Sequence, residues 1–228
     1  MNEPALLSAR GIHKQYPMGA ERVQALRGID VDVMPGDFLA LRGPSGSGKT
    51  TLINLLGLLD VPDQGHLLIE GRDSSTLSDN ERTDLRRDRY GFVFQTFNLI
   101  PVLSAAENVG YPMLLKAEPL TDIETRAYEL LAAVGLAGKE QARPDLLSGG
   151  QRQRVAIARA LANKPAVIFA DEPTASLDSH TADTILDLMG QLNKERGVAF
   201  VISTHDPRVV ERAARVITLH DGSIVGPA

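Results

Sequence analysis

The chain has 228 residues, 43% apolar and 23% charged, the balance of an ordinary globular protein and not of a disordered or fibrous one. Its net charge of −5 lacks the basic excess that binds nucleic acid, and with zero cysteines it forms neither disulfides nor thiolate metal sites. No apolar run nears the roughly 18 residues of a membrane span, and the first ten residues lack a signal-peptide pattern, so a soluble intracellular chain is expected.

Val23–Val33 and His66–Glu70 read as antiparallel strands. Asp37–Arg42, an apolar run between Pro35-Gly36 and a glycine-rich loop, reads as a buried strand, with a helix over Thr51–Leu59 after it. Ser78-Asp-Asn-Glu81 has the form of a capping box and opens an Arg-rich helix to about Arg89. Thr121-Asp-Ile-Glu124 has the same form, and Ala127, Leu130, Leu131 and Val134 follow at helical spacing up to Gly135. Residues from about 96 to 147 therefore read as a helical insertion. A further helix runs from Ser148, a good N-cap, to about Asn163, where Lys164-Pro165 stops it. Ala166–Ala170 and Val198–Ile202 are near-continuous apolar runs, the pattern of parallel strands covered on both faces. Ile185, Leu188, Met189 and Leu192 place a helix between them, ended by Gly197. Asp206 and Pro207 fit N-cap and N1 of the next helix, and Val216–Val225 is a hairpin with an Asp-Gly turn.

Gly43, Pro44, Ser45, Gly46, Ser47, Gly48, Lys49 and Thr50 match GxxxxGK[ST] between a strand and a helix, where a phosphate cradle forms. The glycines permit positive φ, so the loop turns its N–H groups inward, and the following helix adds its positive end. Lys49 is placed to reach the β- and γ-phosphates, and the Thr50 hydroxyl to bind Mg²⁺. The strand through Ala170 ends in two carboxylates. Asp171 would hold Mg²⁺ through water, and Glu172 would face the attacking water as general base. Taken alone, the pair also fits two acids that merely solvate a strand end. Asn163-Lys164 continues as Pro165-Ala166 and not as a guanine-reading element, which favours ATP over GTP.

Leu147-Ser148-Gly149-Gly150-Gln151 opens the next helix, a second helix N-terminus with exposed amides. With these motifs in this order, the chain resembles, over nearly its whole length, the ATP-binding subunit of ABC transporters, in which LSGGQ is the signature motif. That resemblance implies a single domain over 1–228. Its fold is α/β: a P-loop NTPase core (1–95 and 148–228) with a mostly parallel sheet, an antiparallel β subdomain and an inserted α-helical subdomain (about 96–147). It implies that Tyr16 stacks on adenine with Val23 padding the base and Thr51 beside the phosphates. Tyr16 alone also fits a plain core tyrosine. Gln95 resembles the Q-loop glutamine that touches Mg²⁺ and the water, Ala175–Asp178 the D-loop, and His205 the switch histidine at the γ-phosphate.

The implied cofactors are ATP and Mg²⁺. The implied partners are a separate integral membrane permease and a second copy, and no nucleic acid is expected. Ser148, Gly149, Gly150, Gln151 and Asp178 of one chain would cover the ATP on the other's P-loop, and a bulky residue at Gly150 is expected to block pairing while sparing the monomer. The implied location is cytoplasmic, peripheral on the inner face of the membrane. Gly91–Pro101, Glu107-Asn-Val109 and the helix Asn80–Arg89 resemble the subfamily of lipoprotein release and macrolide export. Cell-division and antimicrobial-peptide-resistance relatives look similar. The chain ends soon after the hairpin, which implies no appended C-terminal domain. The alternatives are a non-transport ABC ATPase acting on nucleic acid or ribosomes, and a small-molecule kinase. Acidic balance and a single nucleotide domain stand against the first, the signature motif against the second. Some of Phe97, Leu99, Ile100, Val102 and Leu103 are expected to give an exposed apolar patch for a short permease helix, with Asn98 and Glu107 on its rim; the alternative is that all five pack inside the helical insertion.

Overall fold

The computed structural model describes residues 4–19 and 21–226. Among them, ten strands form two sheets. In the first, β1 (Leu7–Met18) lies between β2 (Glu21–Val33) and β4 (Gln64–Ile69), all antiparallel, with the short β5 (Arg72–Asp73) at the edge beside β4. The second contains β3 (Phe38–Arg42), β6 (Tyr90–Val93), β7 (Val167–Asp171), β8 (Ala199–Thr204), β9 (Arg215–His220) and β10 (Ser223–Val225), in the order β10-β9-β3-β8-β7-β6. Its strands are parallel except β10, which returns antiparallel through Asp221 and Gly222 at φ 47° and 78°.

Three central strands show why the sheet reads as continuously apolar. β3 sends Leu39 and Leu41 to one core and Phe38 and Ala40 to the other. β7 divides Val167 and Phe169 from Ile168 and Ala170, and β8 divides Ala199 and Val201 from Phe200 and Ile202. The period of two along a strand makes this split, and both faces are covered. Helix α1 (Lys49–Leu56) and the antiparallel sheet cover one face. Helices α5 (Gly149–Ala160) and α6 (Ser179–Arg196) cover the other. Each fully buried Leu or Ile contributes on the order of 1.5–3 kcal/mol. The result is a stiff floor under the loops at the carboxyl ends of β3, β7 and β8.

Helix α2 (Asp79–Arg89) opens with the Ser78–Glu81 box that its sequence implies. The Thr121–Glu124 box does not form. Helix α4 (Leu120–Ala133) starts one residue before Thr121, capped by Pro119 without a side-chain bond, and the amides of Asp122 and Ile123 both reach the Pro119 carbonyl at 3.0 Å. Proline's fixed φ, here −59°, sets up the first turn by itself, so Thr121 is already inside the helix. Helix α3 (Ala105–Leu114) opens with a box in place of the expected groove rim: Glu107 closes back on Ser104. Helix α5 ends at Ala160, short of Asn163, and Lys164 reverses the chain at φ 54°. Helix α7 (Pro207–Arg212) is capped by Asp206, as expected.

The apolar stretch after Gln95 is less exposed than its composition implies. Val102 is 71% exposed, but Phe97, Leu99, Ile100 and Leu103 are half-buried and Leu99 packs on the core. Fully buried Asn108 draws this loop inward: its Oδ1 accepts the Ile100 amide and its Nδ2 donates to the Ile100, Leu103 and Ser104 carbonyls. A groove of about 410 Å³ does lie beside it, between α2, β6 and α3, but Phe92, Phe94, Tyr111, Pro112 and Leu115 line it, with Asn98 at one end.

Candidate functional site

Between β3 and α1 the chain turns through residues 43–50, with Gly46 and Gly48 at φ 78° and 102°. A Cβ on Gly43 would lie 2.3 Å from the Leu219 carbonyl oxygen, and one on Gly48 2.6 Å from that of Ala25. Glycine thus lets the loop sit tight between the parallel sheet and β2, where a register shift sets Ala25 out of the β1 ladder. Lys49 is buried and curls under the loop, its Nζ donating to the Gly43 and Pro44 carbonyls at 2.9 and 3.0 Å. The buried Ser47 Oγ has no partner among the described residues. Helix α1 has no side-chain cap, so its first amides are free for an anion.

The parallel register of β7 and β8 puts Asp171 opposite Ser203. Thr50 Oγ1 lies 3.1 and 3.2 Å from the two Asp171 oxygens. The buried Ser203 hydroxyl donates to Asp171 and accepts the Glu172 N–H at 3.2 Å, while the Ser203 carbonyl accepts the same N–H at 3.1 Å. Glu172 sits at φ 46°, a left-handed conformation that a non-glycine residue keeps only where neighbours fix it. Its Oε1 is 2.9 Å from His205 Nδ1, and its Oε2 is buried without a partner. An acceptor held this way, beside an exposed histidine, suits a base that takes a proton from a bound water.

These groups line one cleft of about 630 Å³ with Val23, Ser45, Gly46, Gly48, Thr51 and the exposed Gln95. Gln24 and Ala25 line it too, residues that sequence reasoning missed because a strand bulge brings them there. Ser203 was also missed, although the Ser203-Thr204 pair that ends the otherwise apolar β8, directly before His205, is a readable signal. Tyr16 is not part of the lining; it pairs across the ribbon with Val23, which is. Among the described residues no trio of His, Asp or Glu gathers as a metal cage. A divalent ion in the cleft would take the Thr50 hydroxyl, the Gln95 amide oxygen and the Asp171 carboxylate, the last through water, and fill the rest of its shell from phosphate and water. That donor set fits Mg²⁺.

The signature residues lie outside this cleft. Ser148 and Gln151 close a capping box on α5, and Asp178 caps α6 by accepting the Thr181 amide at 3.0 Å. Ser148 and Asp178 are exposed. At Gly150 the sequence expectation needs correction, because a Cβ there would lie 2.3 Å from Thr181 Cγ2. A bulky residue would disturb the monomer itself. At Gly149 the nearest atom is Leu177 Cδ2, at an ordinary 3.6 Å. Two side chains tie this helix to the cleft loops: Gln153 Nε2 donates to the Pro173 carbonyl at 2.7 Å, and Arg159 donates to the Phe97 and Asn98 carbonyls at 2.9 and 2.5 Å.

A phosphate loop against a strand ending in Asp-Glu, with a histidine on the neighbouring strand, defines a P-loop ATPase, and the separate glycine-started helix narrows the class to the ABC type. Residues 26–175 match the family model described as ABC transporter. The chain belongs to that family as an ATP-hydrolysing subunit. It is 48% identical over 97% of its length to the lipoprotein-releasing system ATP-binding protein LolD 1 of Rhodopseudomonas palustris, spanning 99% of that protein. It is also 48% identical over 96% of its length to the macrolide export ATP-binding/permease protein MacB of Syntrophobacter fumaroxidans, of which it spans 31%. Among solved structures, a dimeric bacterial ABC transporter cassette is 44% identical with a TM-score of 0.88, each chain covered to 96%. The same scores hold for a dimeric post-hydrolysis state of an ATP-binding cassette bound to ADP and Pi. These comparisons lend no support to the reading in which the chain acts on nucleic acid.

Proposed function

We propose that this chain is the energy-supplying subunit of an exporter or of a lipoprotein- or peptide-releasing system, one domain whose residues 96–147 form the helical part. It would work as a homodimer, at the cytoplasmic face of the membrane, on an integral membrane permease. One observation carries the reading: Thr50, Asp171, Glu172 and His205 converge on the phosphate loop, whereas the signature residues lie outside that cleft. In this reading Lys49 and the loop amides bind the phosphates, and Glu172 receives the proton of the attacking water. His205 holds the γ-phosphate, Gln95 orients the water, and Tyr16 carries the base with Val23. Thr50, Asp171 and Gln95 would hold Mg²⁺, which supplies charge neutralisation at the phosphates. A γ-phosphate between the P-loop of one chain and Ser148, Gly149, Gly150, Gln151 and Asp178 of another would close the dimer, and its loss would open it. The dimeric state of the similar cassettes supports this.

No helix of the described residues is long and apolar enough to cross a membrane, so the permease would be a separate segment or chain. The groove of Phe92, Phe94, Tyr111, Pro112 and Leu115 has the apolar floor a short permease helix requires. Leu115, 58% exposed, is the residue to test. Leu115→Glu should leave the tagged chain folded and active as an ATPase, since an exposed substitution costs about 0.5 kcal/mol or less. In cells it should move from the membrane fraction, with its co-purifying integral membrane protein, to the soluble fraction. Retention at the membrane at the wild-type level would remove the groove from the permease contact.

A further inference from the structure

Tyr16 is held from behind by two residues that do not line the cleft, Lys14 and Asp60. Directly opposed residues of an antiparallel pair project to the same side, so Tyr16 shares the cleft side with Val23. Lys14, two residues earlier on the same face of β1, is only 7% exposed, a rare place for an ammonium group. Its Nζ lies 5.3 Å from the centroid of the Tyr16 ring, within cation–π range. The same Nζ donates to Asp60 Oδ1 and to the Val61 carbonyl, both at 2.8 Å. The second oxygen of Asp60 accepts the Tyr16 hydroxyl at 2.7 Å. Lys14, Asp60 and Tyr16 thus close a ring of three contacts.

Electrostatics keep that ring shut. Burial, and then the Asp60 carboxylate, push the Tyr16 hydroxyl up to about 12, so it stays a donor. Burial works against the Asp60 carboxylate, but bonds from Lys14, Tyr16 and the Val61 amide outweigh it and hold it below the usual range. Asp60 follows α1, whose first turn directly continues the phosphate loop. The ring plane of Tyr16 is therefore fixed relative to the helix that grips the phosphates, while 37% of the residue remains exposed for a base.

We propose that Lys14 and Asp60 are positioning residues for the nucleobase, locking the Tyr16 ring on the cleft side of β1 and thereby raising affinity for a base-bearing nucleotide over bare triphosphate. The inference rests on the reading of Tyr16 as the base-stacking residue. A preorganised ring loses no rotamer freedom when the base arrives, which is where the affinity comes from.

The test compares binding of Mg-ATP and of inorganic triphosphate to the purified chain and to Lys14→Met, Tyr16→Phe and Tyr16→Ala. Stacking of a base on an aromatic ring is worth about 1–3 kcal/mol, so Tyr16→Ala should weaken ATP roughly 5- to 150-fold. Of the two brace variants, Lys14→Met should weaken it roughly 3- to 10-fold, raise KM and leave kcat at saturating ATP unchanged, and Tyr16→Phe should weaken it by a similar factor, because both keep the ring and lose only its fixation. Triphosphate affinity should stay within about twofold in all three, because no triphosphate contact is removed. Equal losses for ATP and triphosphate in the brace variants would mean a general defect of the loop and overturn the proposal. ATP affinity lost in Tyr16→Ala but intact in both brace variants would overturn the brace and spare the stacking role. ATP affinity intact in Tyr16→Ala would overturn both. Should Lys14→Met fail to fold, Tyr16→Phe, which removes one hydroxyl, still decides.

Discussion

The phosphate loop and the signature end of α5 use one device, a helix N-terminus, and finish it differently. Helix α1 has no side-chain cap and carries its own buried ammonium, Lys49, beneath the loop. Helix α5 spends two of its first donors on the Ser148–Gln151 box. Helix geometry leaves the amides of Gly149 and Gly150 without intrahelical acceptors, so two donors remain. The first end can hold a polyanion by itself. The second has enough only to add to an anion that something else already holds, and it lies outside the chain's own cleft. On the dimer reading proposed above, this difference is why a chain with both motifs would need a copy of itself to use them together.

The largest effect should come from the proton acceptor at the complete end. Glu172→Gln keeps the contact to His205 and the shape of the cleft while removing the basic oxygen that has no partner. Phosphate release should slow by roughly 10²-fold or more, the usual worth of a positioned base. ATP affinity, measured by titration calorimetry, should hold. Turnover near wild type in the purified variant would take Glu172 out of that role and leave the cleft as a binding site.

Next in size is the cation. Lys49→Ala removes the buried ammonium that two loop carbonyls accept and that the phosphates would attract. A charge-assisted hydrogen bond is worth about 1.5–3 kcal/mol, so ATP should bind roughly 10- to 150-fold more weakly. Binding at wild-type strength would show that the amides of α1 suffice. The contrast between the two helix ends would then rest on capping alone.

Both helix ends are legible in the amino-acid sequence, and so is most of the sheet beneath them, for a physical reason. β3, β7 and β8 are covered on both faces, so their sequence is apolar without interruption and reads at once. The phosphate loop and the signature are contiguous in sequence, so their residues need no folding to be found together. What escapes such a reading is what pairing and packing decide. Ala25 reaches the cleft through a register shift, Ser203 reaches Asp171 across a parallel ladder, and Lys14 meets Asp60 across 46 positions. At residues 97–103 composition shows the apolar side chains but not their direction, because Asn108, outside the stretch, turns the loop inward. At α4 a capping box fails because Pro119 has already fixed the start.

The smallest effect on the isolated monomer, and the sharpest on the comparison, is expected at Gly149. A Cβ there meets nothing closer than 3.6 Å, unlike Gly150, where Thr181 is in the way. An aspartate at Gly149 would occupy the first helical position, where a carboxylate suits the helix dipole by about 0.3–1 kcal/mol. The monomer should therefore keep its melting temperature and its ATP affinity. The same charge cancels the positive end that an approaching γ-phosphate would meet, so it acts only against the second chain. In the Glu172→Gln background, Mg-ATP should double the mass seen by light scattering, and adding Gly149→Asp should abolish that doubling. If Gly149→Asp pairs normally, the free amides of α5 do not face the partner's phosphate and the trans reading of the signature fails. If Gly149→Asp instead weakens ATP binding by the monomer, the signature acts within its own chain, and the separation of the two helix ends has no functional meaning.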